Sequence, residues 1–411
     1  MSGNEKIEDP ETRHPFNGIR MPNTHCPPTT TQPLLRRART LLTQNPEAPV
    51  IHNGAVLEEQ GVITAVGSYP SLAHHHHGPV YDTGDQFLLP GLINAHTHIE
   101  LSHLRGRLAP GTGFENWVTQ LLTLPAREFD PGAAQNAIHE MENVGICAVG
   151  DISGHSPSRM ATVWHKHLAE TVFFVEHIGF APLSQGQPQK LPTDTDLFRA
   201  VPTGHALYST LSETLRQTKN WCRSHHAPFS LHLAEHVGEV DFLTTGQGTF
   251  ASLLRKRLVP ASFTPPGCHP VLYADSLGLL DPATLAVHCV HVPPAERRLL
   301  AQRGCTVCLC PRSNAFIDVG RGPWEKLDAL GVPLCLGTDS LASNWDLDLW
   351  REAWYIAQHW SGSLTLEKLI GWMTRFPARI LGLSHLGQLR PGKKAVYATL
   401  SFEEGQRLPL A

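Results

Sequence analysis

Two histidines separated by one residue, His96 and His98, close the apolar run that begins at Phe87. In an extended strand alternate side chains share a face, so both imidazoles point one way while Thr97 points the other. Two neighbouring imidazoles at a strand end amount to half of a metal site. In a chain with 25 histidines such a pair is also met as ordinary surface residues, so the rest of the sequence has to decide. Further along, ionisable residues follow other short apolar runs: Asp151, His177, His205, His232, His288 and Asp339. Burying such a set would cost several kcal/mol unless its members are paired or bound to something. A shared ligand is the economical explanation.

Two known zinc motifs are echoed, each in an unsuitable context. His232-Leu-Ala-Glu235-His236 has the spacing of inverted zinc metalloproteases, where both histidines lie on one helix. Here the segment from Ala227 to Leu233 alternates as a strand and contains Pro228, which argues against that helix. His98-Ile-Glu100 echoes the His-x-Glu of zinc nucleobase deaminases, but their Pro-Cys-x-x-Cys partner is missing, because Gly304 precedes Cys305. Cys305, Cys308 and Cys310 alternate as in a buried strand and suit packing better than thiolate ligation.

The elements that must carry these groups alternate along the chain. Strand-like runs are expected at 87–94, 146–151, 171–177, 206–208, 229–233, 285–288, 306–310 and 333–338, with helices at 132–143, 211–225, 294–303, 346–359 and 366–381. Eight strands interleaved with helices predict an α/β fold, a closed (β/α)8 TIM barrel with chemistry at the strands' C-terminal ends. Outside the barrel, Val50–Leu57 and Val62–Gly67 flank a polar turn as a hairpin, and Ala395–Phe402 reads as a further strand. We therefore expect a small composite β-sandwich built from both chain ends. The expected division is an extended or disordered segment at 1–33, the first part of the sandwich at 34–89, the barrel at 90–384 and return strands at 385–411.

Five segments taken together, Pro90–His98, His232–His236, His288–His291, Cys310–Asn314 and Leu336–Ser340, resemble the amidohydrolase superfamily in sequence and order. More narrowly, they resemble its branch of chlorohydrolases and purine-type deaminases, among them adenosine, S-adenosylhomocysteine, methylthioadenosine, guanine and aminodeoxyfutalosine deaminases. The likeness runs from about Val50 to the C-terminus. It implies one divalent metal ion held by His96, His98, His232 and Asp339. Zinc suits three imidazoles and a carboxylate, and Fe2+ fits the same ligand types. No lysine ends a middle strand, where binuclear relatives carry one, so a single ion is expected.

By the same resemblance Glu235 is the proton shuttle, Asp339 accepts a proton beside the ion, and His288 stabilises the attacking water or the nascent intermediate. The implied reaction is hydrolytic deamination of a purine nucleoside-type substrate: aminodeoxyfutalosine, adenosine, methylthioadenosine or S-adenosylhomocysteine. Candidate substrate contacts are His205 at the sugar, Trp117 in the long loop after the first barrel strand, and Arg105 and Arg312 for an anionic substituent, since guanidinium binds carboxylate bidentately. His98-Ile-Glu-Leu-Ser102 leans toward the aminodeoxyfutalosine branch, whose substrate carries a benzoate. A chlorohydrolase or triazine-type hydrolase is the alternative chemistry, and a barrel that only binds partners is the non-catalytic one.

Composition narrows the partners. A formal charge of −4 gives no electrostatic case for nucleic acid or an anionic membrane. No apolar stretch approaches the roughly 20 residues that span a bilayer. The nine scattered cysteines suit reduced thiols. We expect a cytoplasmic protein acting on a small nitrogen heterocycle, and a homodimer is compatible with the sequence.

Overall fold

The β-branched and aromatic runs form strands, and their faces decide which sheet they join. In this computed structural model residues 32–124, 128–183, 191–401 and 405 are described, so most of the expected leading segment lies outside the described residues. The strands are β1 (Leu34–Leu42), β2 (Val50–Glu59), β3 (Val62–Ser68), β4 (Val80–Asp82), β5 (Gln86–Pro90), β6 (Leu92–Thr97) and β7 (Ile146–Ser153). They continue with β8 (Glu170–His177), β9 (Phe198–Gly204), β10 (Phe229–Leu233), β11 (Thr284–His288), β12 (Thr306–Leu309), β13 (Leu334–Leu336) and β14 (Tyr397–Ser401). β6 to β13 are buried along almost their whole length, as parallel strands covered on both faces must be.

These eight strands make two parallel sheets, β6-β7-β8-β9 and β10-β11-β12-β13, with helices between successive strands except β8 and β9, where the described residues contain none. The result is a TIM-barrel-like α/β architecture. Two seams join the sheets. At one, the His232 amide donates to the His205 carbonyl at 3.0 Å and the Thr203 hydroxyl donates to the Ser230 carbonyl at 2.5 Å. At the other, the amides of Thr338 and Asp339 both donate to the His96 carbonyl at 3.1 Å, and Asn94 Nδ2 donates to Thr338 Oγ1 at 2.7 Å.

Two strand boundaries differ from expectation. The run 87–94 is divided at Gly91: β5 pairs with β14 and β1 in a separate sheet, while β6 pairs with β7. Glycine fits the crossing because a Cβ there would stand 2.5 Å from Cys147 Sγ. The fourth barrel strand is Phe198–Gly204, not 206–208; Arg199 and Pro202 disguise it, since proline removes a ladder donor. Ala206 makes only an isolated bridge to His232.

The terminal strands form one six-stranded sheet in the order β14-β5-β1-β2-β3, with β4 on β1. Its own apolar core includes Leu41, Val56, Ile63, Leu88 and Tyr397. Both edges meet the same C-terminal segment. β14 pairs with β5, and Ile63 and Ala395 donate to the carbonyls of Lys393 and Gly61, each at 2.8 Å.

Helix starts follow ordinary capping chemistry. Asp130 accepts from the amides of Gly132 and Ala133 with Pro131 at the first helical position, Asp348 accepts from the Trp350 amide, and Thr365 from that of Lys368. The main core joins sheets and helices and includes Trp164, Trp324, Trp350 and Trp372. Among the described residues no helix is long and apolar enough to cross a membrane.

Gly337 marks how tightly the second seam is built. A Cβ there would lie 2.8 Å from the His96 carbonyl oxygen and 2.9 Å from Cys308 Sγ, both inside van der Waals contact. Gly337→Ala is expected to lower stability by about 1–3 kcal/mol through overpacking. The midpoint of urea unfolding checks this, and an unchanged midpoint would mean the seam has slack.

Candidate active site

β6 carries His96 with His98 just past its end, β10 carries His232, β11 ends on His288, and Asp339 follows three residues after β13. His98 Nε2 lies 3.1 Å from His96 Nε2 and 3.3 Å from His232 Nε2. Asp339 Oδ1 lies 3.7 Å from His96 Nε2 and 3.5 Å from His98 Nε2. Residues separated by more than 240 positions thus share one buried point, and the three imidazoles have the spacing of ligands to one ion.

The protonation states favour that use. Burial, with His96 next to it, pushes His98 down to about 3, and burial together with neighbouring imidazoles holds His232 well below the usual histidine range. Neutral imidazoles keep a lone pair for a ligand. Burial raises the Asp339 carboxyl, but the imidazoles of His96, His98 and His288 outweigh it and hold it well below the usual carboxylate range. Its other oxygen, Oδ2, accepts from the hydroxyls of Ser313 at 2.6 Å and Ser343 at 2.7 Å, which leaves Oδ1 aimed at the histidines.

A second pair stands beside this group. His288 Nε2 is 3.5 Å from Glu235 Oε1, and its Nδ1 faces Asn314 Oδ1 at 3.0 Å. A carbonyl oxygen at Nδ1 fixes the proton there and leaves Nε2 as the acceptor. Burial lowers His288 to about 4 and, with Asp339 and Glu239 nearby, pushes the Glu235 carboxyl well above its ordinary value. The backbone around these groups is strained, for Ala234, His288, Cys289 and Asp339 all have positive φ, of 51°, 70°, 48° and 58°. Such conformations cost about 1–3 kcal/mol each and persist only where surrounding bonds over-determine them. Among those bonds are Cys289 N to Leu233 O at 3.0 Å and His291 N to Ala234 O at 2.9 Å.

His205 adjoins the group, with its ring centroid 4.7 Å from that of His232 and its Nδ1 2.6 Å from Ser209 Oγ. Trp117 sits on the helix Phe114–Leu121 and donates from its indole to the Ala342 carbonyl at 2.8 Å, three residues beyond Asp339. Phe114 on the same helix stacks on His236 with ring centroids 3.7 Å apart, so the helix is fastened to two rim loops. His236 therefore faces an aromatic partner, and with His232 on a strand the one-helix geometry of a metalloprotease is absent here.

The two arginines are a correction. Arg105 is paired through both terminal nitrogens with Glu140, and Arg312, 1% exposed at its side chain, holds Asp346 at 2.7 Å and lies near Glu352 at 3.8 Å. A guanidinium engaged bidentately by a carboxylate of the same chain has little left to offer a ligand. Both brace loops.

Two carboxylates near the site have roles that sequence reading did not show: Glu176, which it did not single out, and Glu100, which it weighed only as part of His98-Ile-Glu100. Glu176 precedes His177 on β8 and is the one turned inward: its Oε1 is buried, has no hydrogen-bond partner among the described residues and lies 3.7 Å from His232 Nδ1. Strand parity was the available signal, since Val172, Phe174 and Glu176 share a face that His177 does not. Glu100 accepts from the Ser153 hydroxyl at 2.6 Å and from the amides of Gly154, His155 and Ser156 at 2.8, 3.2 and 3.1 Å. It ties the loop after β6 to the loop after β7. Asp151 is likewise structural, accepting from the Ile99 amide at 2.9 Å and the Trp164 indole at 2.6 Å.

Residues 87–405 match the amidohydrolase family profile, and the chain belongs to that family. It is an enzyme that hydrolyses carbon–nitrogen bonds other than peptide bonds, of the deaminase kind, in a metal-dependent family. Among its relatives, a 5-methylthioadenosine/S-adenosylhomocysteine deaminase of Nitratidesulfovibrio vulgaris is 30% identical over 339 residues, which cover 77% of this chain and 70% of that protein. The crystal structure of an adenosine deaminase from Xanthomonas campestris with bound zinc aligns with a TM-score of 0.75 and 26% identity over 92% of this chain and 87% of that one. The aminofutalosine deaminase of Helicobacter pylori, in complex with methylthio-coformycin, shares the fold with a TM-score of 0.80 at 22% identity, covering 90% of this chain and 92% of that one.

Glu100 provides a test of how the rim is held. Glu100→Gln replaces two acceptor oxygens by one acceptor and one donor in front of three amides and a hydroxyl. It is expected to cost about 2–3 kcal/mol, the worth of hydrogen bonds to a charged group. Chemical denaturation of wild type and variant measures it.

Proposed function

We propose that this chain deaminates a 6-aminopurine nucleoside, with one divalent ion held by His96, His98, His232 and Asp339. The observation that carries the proposal is the meeting of three imidazole nitrogens and one oriented carboxylate oxygen beside the Glu235–His288 pair. The donor set fits a metal: His98 Nε2 stands 3.1 Å from His96 Nε2 and 3.3 Å from His232 Nε2, and a tetrahedral ion with bonds of about 2.0–2.1 Å spaces its ligands roughly that far apart. Zinc suits this set, and Fe2+ would accept the same ligands. When bound, such an ion lowers the pKa of a coordinated water to about 7 and so makes hydroxide available at neutral pH.

The chain's own residues do the rest. Asp339, ionised and pinned through Oδ2, takes the proton of the attacking water at Oδ1. His288 accepts a hydrogen bond at Nε2 from that water and orients it toward carbon 6 of the purine. Glu235, protonated because its burial disfavours charge, gives its proton to ring nitrogen 1 as the carbon–oxygen bond forms. The proton held by Asp339 then passes to the exocyclic amine, the exocyclic carbon–nitrogen bond breaks as the hydroxyl on carbon 6 returns its proton to Glu235, and ammonia departs from a 6-oxo product with both carboxyl groups back in their starting states. His205, anchored at Nδ1 by Ser209, is assigned to the sugar through Nε2, and Trp117 to the helix that roofs the pocket.

The substrate class rests on what the relatives act on: methylthioadenosine and S-adenosylhomocysteine in one, adenosine in another. With Arg105 and Arg312 both occupied, the argument for a benzoate-bearing substrate loses its arginines, although aminodeoxyfutalosine stays on the panel. The wider architecture belongs to the same reading. We place the barrel at 90–384, closed through its two seams. The segments 34–89 and 385–411, of which 402–404 and 406–411 lie outside the described residues, are assigned to a sandwich, supported by the pairing of β14 with β5 and by the bonds of the 393–395 segment to Ile63 and Gly61. A cytoplasmic location and small-molecule partners go with it.

Glu235→Gln is expected to retain full metal while turnover falls about 10²- to 10⁴-fold, the range of a general acid–base contribution. Metal analysis and single-turnover assays separate the two effects, and an active variant with a full site would remove Glu235 from the chemistry. Asp339→Asn is expected to lose both metal and activity. On a panel of adenosine, methylthioadenosine, S-adenosylhomocysteine, aminodeoxyfutalosine and a chlorinated triazine, the expected result is ammonia release from a purine nucleoside, read by the ultraviolet shift. Halide release from the triazine, without ammonia from any nucleoside, would reverse the proposal.

A further inference from the structure

The described residues contain a further group of metal-type donors that shares no residue with the proposed catalytic site. His139 and Glu142 stand three apart on the helix Pro131–Asn143, so they share a face. His167 lies just beyond the helix Pro157–Trp164, whose last turn is closed by the bond from the His167 amide to the Trp164 carbonyl at 2.9 Å. The donor atoms of the three side chains all lie within 4.8 Å of one another. His167 Nδ1 is 3.4 Å from Glu142 Oε1, and the His139 and His167 rings have centroids 5.0 Å apart. The His167 imidazole is 6% exposed, while Glu142 and His139 open toward a groove of about 460 Å³ that Cys147 and Lys166 also line.

We propose that His139, Glu142 and His167 form a second, structural site for a divalent transition ion such as Zn2+. Two imidazoles and one carboxylate are a standard three-ligand set for zinc, with water completing the tetrahedron from the solvent side. Bonds of about 2.0–2.1 Å at the tetrahedral angle put ligand atoms about 3.3–3.4 Å apart, a spacing the His167–Glu142 contact already has. The rest closes by rotation of the exposed His139 side chain. An ion here would staple one barrel helix to the end of the next. The first of these helices also carries Glu140, the partner of Arg105 in the loop behind His98, so the staple would stiffen the wall supporting the opening motif.

Equilibrium dialysis of the untagged full-length protein against Zn2+, followed by metal analysis, tests the proposal. Two equivalents per chain are expected in wild type, and one in the double variant His139→Ala/Glu142→Gln with kcat/KM unchanged. The reciprocal variant, Asp339→Asn, should keep the ion that the double variant loses, so failure here is distinguishable from failure of the catalytic site. Zinc added to metal-stripped Asp339→Asn should raise its melting temperature, and the rise should vanish when His139→Ala/Glu142→Gln is combined with it. The tract His74–His77 is the competing binder within the chain. Replacing these four residues by asparagine should leave the second equivalent in place. A single equivalent in wild type, undiminished binding in the double variant, or loss of the second ion with the tract would each overturn the assignment.

Discussion

The seam between β6 and β13 is the constraint on which the active site rests. The His96 carbonyl receives the amides of both Thr338 and Asp339, and the Thr97 hydroxyl donates to the Asp339 carbonyl at 2.9 Å. Those bonds bring the ends of β6 and β13 together and set the height at which Asp339 stands against His96 and His98. Gly337 allows the approach because it has no side chain to lodge between His96 and Cys308. A displacement of even about 1 Å would open the proposed ligand set, since metal bonds tolerate only a few tenths of an ångström.

Around that seam the site is made by pairing each reactive group with one that fixes it. Asp339 is held by Ser313 and Ser343, His288 by Asn314, His205 by Ser209, and the Glu235 amide by Glu239, whose carboxyl burial pushes up to about 7. These partners arrive from short loops and helix starts after different strands, so the rim is cross-linked rather than merely adjacent. Backbone strain at Ala234, His288, Cys289 and Asp339 falls in the same place. Strain is tolerated there because the hydrogen bonds around each residue leave no relaxed alternative.

Much of the site was legible in the order of residues alone. Period-two alternation put His96 and His98 on one face, and the position of His232, His288 and Asp339 at or just after apolar runs marked them as strand-end groups. What misled was also physical. Pro202 and Arg199 hid a barrel strand because they contradict the composition of a buried central strand, and Gly91 concealed the handover of one apolar run between two sheets. Arg105 and Arg312 looked available because a sequence does not show that Glu140 and Asp346 reach them first.

By itself the sequence determined the alternation of strands and helices, the chemistry of the candidate ligands and the family to which the chain belongs, because periodicity and motif spacing are local properties. Only the tertiary structure decided which ionisable groups face inward together: Glu176 and not His177, Asp339 and not Asp151, His232 and not His236. Those choices depend on strand parity, on seam hydrogen bonds and on ion pairs between residues far apart in the chain. They are fixed by packing, where a single residue of register turns a ligand into a brace.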